Sequence, residues 1–144
     1  MGLGSRPESW NPLVAEMMVQ DFPASLAWWT GMLGFVPLFQ RPGQKLAMLQ
    51  HPDGAQVMIY ERDGDWETGA MEVPFGRGAV FQVFVADVAG AHAVFEAAGH
   101  GFYVALRETW RDWGDCLGGQ REFLVQDPDG YLVKVAEHIG IRPL

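Results

Sequence analysis

Three groups of side chains in this chain have types and spacings that could bind or react. One is acidic: Glu61, Asp63, Asp65 and Glu67, with Trp66 among them. A second holds Trp110, Asp112, Trp113 and Asp115, with Arg111 between. Indole faces stack on flat rings and carboxylates draw cations, so both groups suit a planar, cationic ligand. Plainer readings stand beside these. The acidic stretch also reads as a solvated connector, and Trp66 as a cover on the core edge or a subunit contact. Trp110 and Trp113 are three apart and would share one face of a helical turn. The third group lies on strands. Met58 and Tyr60 share one side of a strand, and Phe81 and Val83 one side of another, where they also fit an ordinary core. Lys134 falls in a half-buried strand, where a lone ammonium is costly. It needs a carboxylate or an anionic ligand group, and Glu16 is the expected partner.

The four histidines, His51, His92, His100 and His138, are not paired at ligand spacing. They read as turn, helix and tail residues. A single cysteine, Cys116, excludes an internal disulfide and a cysteine zinc cluster. It fits a reducing compartment, so a cytoplasmic location is expected.

The elements that position these groups follow from an internal repeat. Val19-Gln20-Asp21-Phe22, an apolar helical stretch, Gly34 and His51-Pro52-Asp53-Gly54 recur as Val85-Ala86-Asp87-Val88, a similar stretch, Gly99 and Asp127-Pro128-Asp129-Gly130. Asp21 to Gly34 is 13 residues and Asp87 to Gly99 is 12. Each aspartate can cap a helix, and each glycine can end it in a left-handed turn. Leu26, Trp29 and Leu33 keep helical spacing in one half, and Ala91, Phe95 and Ala98 in the other. Trp28 and Trp29 point apart and read as core or interface. Pro-Asp-Gly is turn chemistry, so hairpins are expected at 45–60 and 121–137. The result is an α+β chain of two βαβββ modules, 13–63 and 79–138, within one domain at 13–138. A linker spans 64–78, and a loop at 108–120 is inserted in the second half. Residues 1–12 read as a loose tail without a signal peptide's apolar segment, and 139–144 as a second tail. Two such modules expose curved sheet faces that can enclose a small-molecule cleft.

Length and charge narrow the function. A chain of 144 residues with 10 Lys+Arg against 18 Asp+Glu carries −8, too acidic for non-specific nucleic-acid binding. No apolar run is long enough for a membrane span.

The chain resembles the vicinal oxygen chelate superfamily of glyoxalases, bleomycin resistance proteins and dioxygenases. The residues that carry this are Val19-Gln20-Asp21-Phe22, Ser25-Leu26-Ala27-Trp28-Trp29, Leu33-Gly34-Phe35, and Arg121-Glu122-Phe123 followed by Asp127-Pro128-Asp129-Gly130-Tyr131. The resemblance implies a metal held by His and Glu at four strand positions, occupied here by Val14, Met58, Phe81 and Lys134. None of these is a ligand for a hard cation. Without the metal, the Lewis acid of the family's enzymes is lost. The metal-free branch closest in pattern is the bleomycin resistance type, through Trp28-Trp29-Thr30 and Arg121-Glu122-Phe123. It implies a homodimer that sequesters a flat, cationic drug at its interface without chemical change and without a cofactor. Ligand contacts are then expected from Glu16, Met58, Tyr60, Trp66, Phe81, Trp110, Trp113, Asp115 and Lys134. Arg121 and Glu122 read as structural. The bleomycin pattern departs at Leu117-Gly118-Gly119-Gln120-Arg121, which lacks an aromatic. Two alternatives remain: a metal-dependent lyase or dioxygenase, and a metal-free lyase or isomerase using Tyr60, Glu16 or Lys134 as acid or base.

Overall fold

Asp21 and Asp87 do what the repeat requires of them. In the computed structural model, which describes residues 7–41 and 43–144, each caps a helix. Asp21 accepts from the Ala24 amide at the start of α1 (Phe22–Gly31), and Asp87 from the Gly90 amide at the start of α2 (Val88–Ala97). Such caps stabilise by about 1 kcal/mol each. Gly34, at φ 78°, ends the first helix: its amide donates to the Thr30 carbonyl and that of Phe35 to the Trp29 carbonyl. A side chain at that φ would be strained.

The strands around α1 are β1 (Ala15–Val19), β2 (Val36–Gln40), β3 (Leu46–Gln50) and β4 (Gln56–Glu61), in the sheet order β1-β4-β3-β2. Those around α2 are β5 (Val80–Phe84), β6 (Val104–Asp112), β7 (Leu117–Gln126) and β8 (Leu132–Arg142), in the order β5-β8-β7-β6. The architecture is therefore α+β, with two βαβββ modules and two four-stranded sheets. Both Pro-Asp-Gly turns form. Gly54 sits at φ 110° and its amide reaches the His51 carbonyl at 2.8 Å; Gly130 sits at φ 92° and reaches the Asp127 carbonyl at 3.0 Å. Among the described residues no helix is long and apolar enough to cross a membrane.

Two compact units divide the chain. One takes the chain through Phe75 together with Asp127–Gly130; the other takes Gly76–Gln126 and Tyr131–Leu144. The turn at 127–130 was expected to belong wholly to the second half. Its bonds explain why it joins the first unit. The Trp29 indole donates to Asp127 Oδ2 at 3.3 Å, the Gln20 amide to Asp129 Oδ1 at 2.9 Å, and the Phe75 amide to the Asp129 carbonyl at 2.8 Å.

In the second unit α2 covers one face of the sheet. Phe95 on the helix meets Phe123 of β7 at 5.5 Å between ring centres. Phe123 registers with Val135, and Val125 with Val133, and all four are fully buried. Strand side chains alternate between faces, so Gln120, Glu122 and Leu124 of β7 must point the other way.

Several expectations are corrected here. The loop expected at 108–120 is instead the long end of a hairpin: Thr109, Trp110, Arg111 and Asp112 pair with Gln120, Gly119, Gly118 and Leu117. The turn closes where the Trp113 amide meets the Cys116 carbonyl. The tail expected at 139–144 is partly strand, because Ile141 and Arg142 register with Gly118 and Leu117. Of the N-terminal tail, residues 1–6 lie outside the described residues. Its remainder is tied down rather than loose: the Asn11 amide donates to Gln56 Oε1, and Gln56 Nε2 donates to the Ser9 carbonyl, both at 2.8 Å.

Candidate functional site

The helix-free face of the second sheet is built on alternate residues. Register places Arg107 opposite Glu122, Thr109 opposite Gln120 and Arg111 opposite Gly118. Across the next strand Glu122 lies opposite Ala136, Leu124 opposite Lys134 and Gln120 opposite His138. These side chains share one surface, with Glu122 near its centre.

Glu122 is fully buried and surrounded by donors. Thr109 Oγ1 donates to its Oε1 at 2.8 Å, and an Arg111 nitrogen lies 2.6 Å from the same oxygen. Lys134 Nζ stands 3.4 Å and Arg107 3.9 Å from Oε2, which makes no hydrogen bond. Arg111 is held further by its Nη1, which donates to Thr109 Oγ1 at 2.8 Å and to Gln120 Oε1 at 3.0 Å. Burial pushes the Glu122 carboxyl up. The Thr109 and Arg111 hydrogen bonds, and the charges of Lys134 and Arg111, outweigh that and hold it below the usual glutamate value. It is ionised at neutral pH and a weak base.

The pairing expected between Lys134 and Glu16 is corrected by this geometry. Lys134 meets Glu122, while Glu16 is solvent-exposed on β1 of the other unit. The sequence reads Glu122 and Arg121 together as structural, yet they point to opposite faces. Arg121 sits 3.7 Å from Glu108, and both are half exposed.

The same split overturns the shared face expected for Trp110 and Trp113. A Cβ on Gly118 would lie 2.1 Å from the Trp113 ring, and one on Gly119 would lie 2.6 Å from the Trp110 ring. Adjacent glycines on a strand look to opposite faces, so the two indoles do as well. Trp113 stacks with His138 at 5.5 Å, on the Glu122 side. Trp110 is on the Arg121 side, with the Arg142 guanidinium 3.6 Å over its ring and its Nε1 donating to Glu108. Phe81 also leaves the group. It registers with Val133 and packs edge-on against Tyr131 at 5.8 Å, on the face opposite Lys134.

In the first unit, Leu46, Met48 and Met58 form an apolar cluster with Val14, Leu38, Phe39 and Tyr60 packed on it. The Tyr60 hydroxyl donates to Asp63. The other acids nearby also have partners: Glu61 pairs with Lys45 at 2.8 Å and accepts from the Phe22 amide, and Glu67 pairs with Arg62. The stretch expected to lure a cation thus has much of its charge engaged within its own unit. Trp66 stands exposed at φ 61°. Asp115 is exposed in the hairpin turn beside Cys116. Burial, the hydrogen bond with Asp115 and the Asp112 charge push that thiol up, away from a reactive thiolate.

Of the residues expected to touch a ligand, then, the face around Glu122 brings together Lys134 and Trp113. Arg107, Thr109, Arg111, Gln120, Glu122 and His138 were missed as members. Their signal is a two-residue polar period, Arg107-x-Thr109-x-Arg111 against Gln120-x-Glu122, of which Thr109, Arg111 and Gln120 fall in the expected loop at 108–120.

The divalent metal implied by the resemblance does not fit this donor set. Glu122 is crowded by an ammonium and two guanidiniums, which repel a cation, and its Oε1 is taken by Thr109 and Arg111. Among the described residues no group of three or more His, Cys, Asp and Glu side chains converges to hold an ion.

The family model described as the Glyoxalase/Bleomycin resistance protein/Dioxygenase superfamily matches residues 12–135, and the chain belongs to that superfamily. Among solved structures, TioX from Micromonospora sp. ML1 is similar at 23% identity and TM-score 0.67, over 90% of this chain and 100% of that one. Lactoylglutathione lyase from Agrobacterium tumefaciens is similar at 18% identity and TM-score 0.57, over 91% and 94%. At such identities the likeness is one of fold. No protein of curated function matches the chain.

Proposed function

We propose that this protein binds a small planar molecule and holds it without chemical change, in the manner of the bleomycin resistance branch. The observation that supports this reading is the state of Glu122. The buried carboxylate of the helix-free face is capped by Thr109 and Arg111 and neighboured by Lys134. A carboxylate so stabilised is a poor general base. The Trp113 and His138 rings beside these charges offer a flat apolar contact.

Tryptophan fluorescence tests the binding. Trp113 is half exposed and reports a ring placed on it. Titration with a panel of planar compounds of differing charge, bleomycin among them, should find at least one that quenches emission at micromolar concentrations, and chromatography should recover the bound compound unchanged. Recovery of a product, or one tightly held divalent ion per chain by metal analysis, overturns the reading. The drug-sequestration reading also carries a homodimer, and sedimentation giving the 16.0 kDa chain mass refutes that part.

A further inference from the structure

We propose that the ligand of the Glu122 face is a planar organic anion, an aromatic carboxylate seated on Lys134 and Arg107. This rests on the small-molecule reading above and adds the ligand's charge, opposite in sign to the cation expected from the acidic sequence.

The charges on this face do not balance. Arg107, Arg111 and Lys134 surround the single carboxylate of Glu122, a surplus of two positive charges. Among the described residues of this unit, the neighbouring acids lie on the other face or in the turn, where Asp115 bonds with Cys116. Glu108 points to the opposite face, where it takes the Trp110 indole and Arg121. Asp112 caps the Gly114 amide at 2.7 Å in the turn. Glu137 accepts from the Val88 amide at the start of α2. The surplus equals the charge a divalent ion would bring, carried instead by side chains.

The three cations are not equally engaged. Arg111 has hydrogen bonds to Thr109 and Gln120 besides its contact with Glu122. Lys134 has three donors, and its ion pair is the 3.4 Å approach to an oxygen that makes no hydrogen bond. Arg107 stands at 3.9 Å with its side chain 49% exposed. Lys134 and Arg107 therefore keep donors for an incoming oxyanion, which would relieve the repulsion between them. On the same face toward the turn, His138 lies opposite Gln120 and Trp113 over Gly118, two and four residues from Glu122 along β7, and they give the ring of an aromatic acid its surface. A cationic ligand placed there would meet three like charges.

Calorimetric titration with three matched probes tests this, in the presence of a chelator and at low salt: naphthoate, naphthylmethylammonium and naphthalenemethanol. Naphthoate should bind at least about tenfold more tightly than the amine, and the preference should shrink as salt screens the face. Arg107→Gln and Lys134→Met should each weaken naphthoate by about tenfold and leave naphthalenemethanol within about twofold. Arg107 is half exposed, so its variant keeps the test valid if the Lys134 variant fails to fold. If the amine or the alcohol binds as tightly as the acid, the charge assignment falls and the small-molecule reading stands. If none of the three binds, both fall.

Discussion

Replacing Glu122 with glutamine removes the one negative charge of the face and almost no volume. Thr109 keeps an acceptor, but the amide turns a donor toward Lys134 and Arg107. The charge-assisted contact with Arg111 at 2.6 Å becomes neutral. A hydrogen bond to a charged group contributes roughly 1.5–3 kcal/mol, and removing one partner of a fully buried pair costs about 3–5 kcal/mol. Here the cations reach water, with Arg111 39% and Arg107 49% exposed, so the lower range applies. We expect Glu122→Gln to lose about 2 kcal/mol at neutral pH, a fall in Tm of about 4–8 °C. Urea unfolding measures it. Lys134→Met should be better tolerated in the Glu122→Gln background than alone, with a coupling of about 1 kcal/mol. The pH dependence has a definite sign. Because the folded carboxyl lies below the usual value of 4.5, it adds stability above that pH and loses it as pH falls through the lowered folded value. The gap between wild type and variant should therefore be full at neutral pH and close in acid. A variant within about 0.5 kcal/mol of wild type at neutral pH, or a gap that persists unchanged in acid, refutes the reasoning.

Gly119→Ala should displace Trp110 from between the strand and the Arg142 guanidinium, since the new methyl would sit 2.6 Å from the ring. A loss of about 1–2 kcal/mol in urea unfolding and a changed near-ultraviolet dichroism are expected. Asp21→Ala and Asp87→Ala each remove a helix cap and should cost about 1 kcal/mol apiece, with the losses additive in the double variant. The Tyr60 phenol should titrate above its ordinary value of 10.0, held up by the hydrogen bond to Asp63, then by burial and that carboxylate's charge. Absorbance titration of Asp63→Asn should show one tyrosine moving down; no change refutes the contact.

The fold was legible because its signals are local. Asp21 and Asp87 cap helices, Gly34 ends one of them, and the Pro-Asp-Gly turns close hairpins, each within a few residues of chain. Duplication of these signals at near-equal spacing was enough to count modules. The 108–120 segment imitates a loop through its glycines and charges, yet it pairs as strands. Gly118 and Gly119 are instead the flat seats of Trp113 and Trp110. What the residues alone determined was the set of modules; the resemblance added the four positions Val14, Met58, Phe81 and Lys134 at which the superfamily's metal ligands are expected. What only the tertiary structure decided was which side chains meet. Lys134 found Glu122 rather than Glu16, Phe81 turned to the helix-facing side, and Trp110 parted from Trp113. Each outcome depends on strand register, where a shift of one residue sends a side chain to the opposite face. Register is set by pairing between β5, β6, β7 and β8, segments separated by up to dozens of residues, so no local pattern could have supplied it.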